Sequence, residues 1–434
     1  MEKFFEFQKH GTTAQREIIA GLTTFLTMAY ILAANPGMLG RIGDGMTPGA
    51  VFTATAISSG IATIFMAFLA RLPVALAPGM GLSAFFTYTV VFGMGCTWQV
   101  ALTAVFLEGI LFIFLCAFNV RDAIVSAIPN NLKKAVAVGI GLLIAFIGFS
   151  NSGIIIRGVG TVDNIIKLGN LTDTGTFLAI IGLVIIIILH SLNVPGAIFI
   201  GILSTTIISI PMGITSLSEG WKPFSMPQSP LLFQFDFSGI LSFKFFIVFF
   251  TFFFIDIFDT AGTIVGVATQ AGLADKDGNI PRVRQAFLAD AIGTVAGASL
   301  GTSTVTCYVE SAVGVGSGGR SGLTALTAGV LFLLALLFWP IFQLIPGAAT
   351  APALIFAGFL MMAPVAQINF KDPTEGIPAF LAIVMMPFTF SIVEGIIYGV
   401  LSYVLLKAAT RKFAEISAIT WVLFFVFILR FFLK

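Results

Sequence analysis

Charge is what this chain has least of. Only 10% of its 434 residues are Asp, Glu, Lys or Arg, 58% are hydrophobic, and the mean hydropathy is +1.05. Soluble domains carry about 25% charged residues, so this chain cannot cover a water-facing surface and belongs in a membrane. Its net charge of +2 comes without a basic run, which argues against nucleic acid as a partner. Histidine is confined to His10 and His190, and Cys96, Cys116 and Cys307 stand far apart. They offer no metal-ligand spacing and no disulfide framework, and the cysteines read as membrane-buried thiols. P-loop and HExxH patterns are missing too, which leaves an enzyme without a catalytic set and implies no cofactor. The first residues lack the apolar core and cleavage site of a signal peptide, so the first span is expected to act as its own insertion signal.

Apolar segments are what the chain has in plenty. They fall at 17–36, 49–70, 74–93, 98–119, 133–149, 176–192 and 194–212, then, after a Pro-rich loop at 213–243, at 244–270, 285–300, 302–316, 322–340, 349–366, 376–391 and 393–407. This pattern predicts an all-α polytopic membrane protein of fourteen transmembrane segments, seven plus seven. Lys and Arg concentrate in alternate loops (Arg71, Lys133, Lys134, Arg282, Arg284) and thin out in the others (Arg41, Arg157, Lys167, Lys222), which places the N-terminus in the cytoplasm. Seven is odd, so the halves must be inverted. The last stretch, 416–433, is expected to lie as a peripheral helix. With no outer-membrane β pattern, an inner or plasma membrane is the expected location.

Two segments are broken in matching places. Leu72 to Gly81 is too rich in Pro and Gly to start a helix in lipid, and Gly301 to Thr306 is rich in β-formers and hydroxyls. Each predicts a few extended residues followed by a half-helix, at 81–93 and 308–316. Extended backbone at that depth is tolerated only where protein or a cavity satisfies it. The half-helix N–H groups at 83–85 and 309–311 are the expected donors to a solute. Broken spans in corresponding positions of two halves point to a transporter site. The turns His190–Gly196 and Pro387–Gly395 also match.

Acids occupy the same depth. Asp256 and Asp259, three residues apart on one helix face, sit inside the apolar run 251–270, which holds no Lys, Arg or His. A charge at mid-membrane costs at least about 2.5–3.5 kcal/mol, so such groups turn toward protein or a water-filled path. Glu310 stands at the start of the second half-helix, Glu108 lies in the fourth segment, and Glu394 is expected to shape the last turn. Ala261, Gly262, Thr263 and Gly266 allow close packing beside the acids. The combination suits a polar solute and a proton. The literal GxGxxG at 314–319 follows no soluble strand and reads as a tight loop. Gly293, Gly297 and Gly301 read as a helix-packing stripe, and Phe85 and Phe86 as candidates to stack on a planar solute.

Four motifs resemble one known family: Thr24-Phe25-Leu26-Thr27-Met28-Ala29-Tyr30 through Asn35-Pro36, Ala77-Pro78-Gly79-Met80-Gly81-Leu82, Phe254-Ile255-Asp256-Ile257-Phe258-Asp259-Thr260-Ala261-Gly262-Thr263, and Gly301-Thr302-Ser303-Thr304-Val305-Thr306-Cys307-Tyr308-Val309-Glu310-Ser311. Together they resemble the AzgA-like permeases, the adenine/guanine/hypoxanthine branch of the nucleobase:cation symporters, and the likeness runs from about residue 11 to 407. The resemblance implies a core domain (17–119 and 244–340) moving against a gate domain (133–212 and 349–407), with purine uptake driven by protons. It implies that Asp256 and Glu310 contact the base with Asp259 in support, and that these three couple the proton. Ser83, Ala84, Phe85, Val309 and Ser311 complete the expected substrate site. Ser83 is a departure, because the family commonly has Asn there. The expected partners are a purine nucleobase, a proton or Na⁺, and lipid, with a second copy of the chain as a further candidate. The alternative is an anion transporter or channel of the same architecture, for which midplane acids are a poor fit.

Overall fold

The computed structural model describes residues 2–118, 129–158, 166–216, 221–273 and 280–432. The helices of the first half are α1 (Ala14–Met28), α2 (Ile31–Leu39), α3 (Pro48–Phe65), α4 (Met80–Ala84), α5 (Trp98–Phe118), α6 (Asn130–Asn151), α7 (Thr174–Ser191) and α8 (Ala197–Ser209). The second half has α9 (Phe243–Gln270), α10 (Val283–Leu300), α11 (Ser311–Gly316), α12 (Gly322–Leu334), α13 (Trp339–Gln343), α14 (Gly347–Leu360), α15 (Pro373–Thr389), α16 (Ile392–Ala409) and α17 (Ala418–Phe432). Short strands β1 (Leu76–Pro78), β2 (Ile155–Arg157), β3 (Ile166–Leu168) and β4 (Val305–Cys307) interrupt them. Among the described residues nine helices are long and apolar enough to cross a bilayer, and Met80–Gly93 and Ala197–Ser209 are shorter apolar helices.

Local chemistry sets the helix starts. The hydroxyls of Thr13, Thr47, Ser321 and Ser391 accept from backbone N–H groups of the first turns of α1, α3, α12 and α16. α9 runs unbroken for 28 residues, about 42 Å of helix, so its acids sit well away from both ends.

The chain divides into two compact units, Met1–Cys116 with Gly148–Ala353 and Ala117–Ile147 with Leu354–Lys434. At the heart of the first, β1 and β4 pair antiparallel, Leu76 opposite Cys307, Ala77 opposite Thr306 and Pro78 opposite Val305. The two broken segments thus satisfy each other's backbone. Their outer edges are closed by threonines from matching helices of the two halves. Thr63 on α3 donates to Leu76 O (3.1 Å) and accepts from Leu76 N–H (2.9 Å), and Thr294 on α10 donates to Val305 O (2.9 Å). No backbone polar group of either strand needs lipid or water where these bonds form. Two glycines of the stripe pack as expected, a Cβ at Gly293 pressing on Ala62 and Val305 and one at Gly297 on Val305 and Ser303, whereas Gly301 ends α10 as its left-handed cap (φ 94°).

In the second unit α15 and α16 form a hairpin turning at Phe390 (φ 53°), and Gly141 of α6 meets Gly358 of α14 at close backbone approach. Lys407 is buried and pairs with Glu375 (2.7 Å) and with Glu415. Tyr403, Val404, Ile416 and Phe424 seat α17 on this unit. With 15 residues, α17 is about 22 Å long, short of the roughly 30 Å a span requires.

Candidate functional site

The antiparallel strand pair aims two half-helices, and the long helix α9 runs beside them. From α9 come Asp256, almost fully buried (1% exposed), and Asp259, whose side chain is exposed. From the turn after β4 comes Glu310, 8% exposed, next to Val309 at 56%. Asp259 lies within electrostatic reach of both Asp256 and Glu310. Cβ atoms added at Gly266 or Gly316 would meet open space. Asp259 therefore feels one acid of its own helix and one from the turn after β4.

Glu310 is not left to burial alone. Tyr30, in the bend between α1 and α2, donates its hydroxyl to Glu310 Oε1 at 2.8 Å. Tyr308 donates to Pro78 O (2.6 Å), and its N–H donates to Ala75 O (3.0 Å), which fastens the start of the Glu310 turn to the β1 segment. The Ser311 hydroxyl accepts from Ala75 N–H at 3.0 Å and is fully buried. From α2, Asn35 donates to Thr55 and Thr302 (both 2.8 Å) and accepts from the Ser83 hydroxyl (2.7 Å), which also bonds Ser303 (2.6 Å). Asn35 thus joins both broken segments.

The expected donor set needs correction. The Ser83 N–H is bonded to Gly79 O, the Phe85 N–H is taken up within the helix, and the Ser311 N–H is bonded to Tyr308 O. The helix after β1 begins at Met80 rather than 81, so positions 83 and 85 already lie past its first turn and their donors are consumed. Ser83, Ala84 and Phe85 are all buried, and the Phe85 ring packs edge-on against Phe252 with centroids 4.8 Å apart.

Behind the wall lies a second layer of polar groups. Glu108 accepts from the Thr304 hydroxyl at 3.0 Å, and Asp290 accepts from Thr260 at 2.8 Å, with Thr260 in turn bonded to Thr306 (2.7 Å). Asp290, Tyr30 and Asn35 were not identifiable as site candidates from the motifs alone. Asp290 is a lone acid in the apolar stretch 285–300, and Tyr30 and Asn35 stand in the first of the four motifs without a role assigned to them. Elsewhere Glu17, fully buried, accepts from Arg320 N–H, Ser321 N–H and the Thr324 hydroxyl (2.9, 3.1 and 2.6 Å), capping α12 from α1. The Arg320 guanidinium in turn caps the loop after α11 by donating to Val315 O and Gly319 O. That is the structural use of the GxGxxG stretch. Glu394 stands in the first turn of α16, where its N–H donates to the capping Ser391 hydroxyl at 3.3 Å. A cavity of about 360 Å³ lined by Arg41, Gln228, Trp339 and Phe342 contains none of the three acids.

The sequence profile described as Permease family matches residues 15–398. The guanine/hypoxanthine permease PbuG of Bacillus subtilis is 44% identical, covering 100% of both chains. The adenine permease AdeP of Escherichia coli is 41% identical over 99% of this chain and 95% of its own length. Among solved structures, the transmembrane domain of the bicarbonate transporter BicA from a cyanobacterium superposes with a TM-score of 0.67 over 89% of this chain and 97% of that one. Its 16% identity makes that a likeness of fold. The fold read from the sequence, an all-α membrane protein of two inverted halves with extended stretches in the broken segments, is the fold found.

Proposed function

The chain belongs to the Permease family, and from that premise we propose that it imports purine nucleobases (hypoxanthine, guanine or adenine) by proton symport. The observation that carries the reading is that Asp259 lies within electrostatic reach of both Asp256 and Glu310, beside the paired broken segments. A purine is planar, with N–H donors on its edges that two carboxylates can accept. A donor or acceptor left unmatched costs about 1–3 kcal/mol, enough to reject a near-analogue tenfold or more. The names of the relatives, adenine and guanine/hypoxanthine permeases, support the same substrate class. In this reading Asp256 and Glu310 hold the base, Asp259 supports them, and Ser83, Ala84, Phe85, Val309 and Ser311 shape the space around it.

Transport proceeds by alternating access. Fourteen spans form a core (17–119 and 244–340) that moves against a gate (133–212 and 349–407), with the N-terminus in the cytoplasm of a cell-membrane protein. The rival is anion transport, since BicA is a bicarbonate transporter. Three acids on and beside α9 oppose an anion by charge, so the purine reading is preferred.

The test is uptake by the full chain in proteoliposomes of radiolabelled hypoxanthine, guanine, adenine, uracil and sulfate, with and without a pH gradient. Purine uptake stimulated by an inward proton gradient is expected. Asp256→Asn and Glu310→Gln should each abolish it while the protein still reaches the membrane. Undiminished transport in both variants, or stimulation by sulfate alone, would overturn the proposal.

A further inference from the structure

One buried acid has no task in the purine reading. Glu108, on α5, is 0% exposed. Its Oε2 accepts from the Thr304 hydroxyl, and among the described residues its Oε1 takes no bond from any hydroxyl or amide. The Asp256 carboxyl lies beside that of Glu108, close enough for the two side chains to share a hydrogen bond. The other ionisable group that bears on Glu108 is also an acid, Asp290 from α10, which the Thr260 hydroxyl engages at 2.8 Å. Two carboxyls in contact in a dry interior repel when both are ionised, and they become stable once a proton lies between them.

The identity of the side chain matters. A glutamine at 108 would accept from Thr304 and donate its amide to Asp256, making both bonds with no proton at all. A scaffold would be served by that amide. Glutamate makes the second bond only by binding H⁺, so the contact between Glu108 and Asp256 is complete only when loaded.

We propose that Glu108 and Asp256 share one proton and that this is the proton carried with the base. The proposal rests on the purine-and-proton reading above and names where the proton resides. When a purine N–H donates to the Asp256 carboxylate, the shared proton moves onto Glu108 Oε1. When the base leaves, the pair opens to water and the proton leaves with it. One proton enters and one leaves per cycle, and no bond of the base changes. Glu108 never touches the substrate and is a positioning residue that acts through Asp256.

The experiment compares wild type, Glu108→Gln and Glu108→Asp as full chains in proteoliposomes, using the radiolabelled purine that wild type takes up. Counterflow exchange at equal pH and accumulation driven by a pH gradient are measured side by side. Glu108→Gln should keep exchange within about threefold yet lose gradient-driven accumulation by about tenfold or more, because coupling and binding are separate free energies. Glu108→Asp, which retains a carboxyl, should recover part of the accumulation. Accumulation in Glu108→Gln equal to wild type would overturn the proposal, as would joint loss of exchange and accumulation in both variants. Should Glu108→Gln fail to fold, Thr304→Val serves instead: it removes the Oε2 donor and should shift the pH profile of uptake, and an unchanged profile counts against the proposal. Wild type separates the two levels. If it exchanges purine but accumulates it only with a Na⁺ gradient, the proton reading itself falls and takes this inference with it. If wild type couples to protons and Glu108→Gln does too, only the inference falls.

Discussion

The Tyr30–Glu310 bond offers the sharpest test of the site. Both groups are buried, at 1% and 8% exposure, and the O···O distance of 2.8 Å is that of a well-formed hydroxyl–carboxylate bond. Tyr30→Phe removes one oxygen and keeps the ring, so the packing between α1 and α2 is preserved. With little room for water to replace the hydroxyl, the loss is that of a hydrogen bond to a charged group, about 1.5–3 kcal/mol. If that bond sets Glu310 for the base, purine affinity should fall by about 10- to 150-fold. The assay is equilibrium binding of radiolabelled purine to purified protein, run as a double-mutant cycle with Glu310→Gln. Once Glu310 is replaced, Tyr30→Phe should cost little more, giving a coupling energy of the same 1.5–3 kcal/mol or so. Additive effects, or affinity unchanged within about twofold in Tyr30→Phe, would refute the assignment of Glu310 as a base-holding group oriented by Tyr30.

Three further outcomes are expected. Thr63→Val and Thr294→Val are near-isosteric and strip the strand edges of their partners. Each should cost about 1–3 kcal/mol in stability, more at Thr63, which loses a donor and an acceptor, read as a lower Tm in detergent. Gly314→Ala would drive a methyl into Thr24 and to 2.8 Å from Ala20 O, separating α11 from α1. The overpacking cost is about 1–3 kcal/mol, and uptake should fall along with Tm. At the start of α15, the Thr374 N–H and hydroxyl, with Lys412, hold the Asp372 carboxyl down at about 2. Because that value is depressed, the cap's contribution is full above about pH 4 and is lost as pH falls toward 2. The Tm gap between wild type and Asp372→Asn should therefore be present at neutral pH and close on acidification, and a gap constant with pH would contradict this.

Residence in the membrane and the two broken segments were determined by the sequence alone. Each is a local property: scarcity of charge, runs of apolar residues, and Pro, Gly and β-formers at 72–81 and 301–306. The acids of α9 and Glu310 were visible for the same reason, since a carboxylate in an apolar run stands out wherever it lies. Tertiary structure alone decided who meets whom. Tyr30 and Glu310 are 280 positions apart, and Ser83 and Ser303 are 220 apart. No periodicity links such residues, because their contact depends on where separate helices cross. The expected donors at 83 and 85 failed on a matter of one helical turn, which is below the resolution of a hydropathy pattern. Whether Glu108 was packing or function could not be read from α5, an almost uniformly apolar helix. Only the fold puts it beside Asp256, and electrostatics between two buried acids depends on their distance.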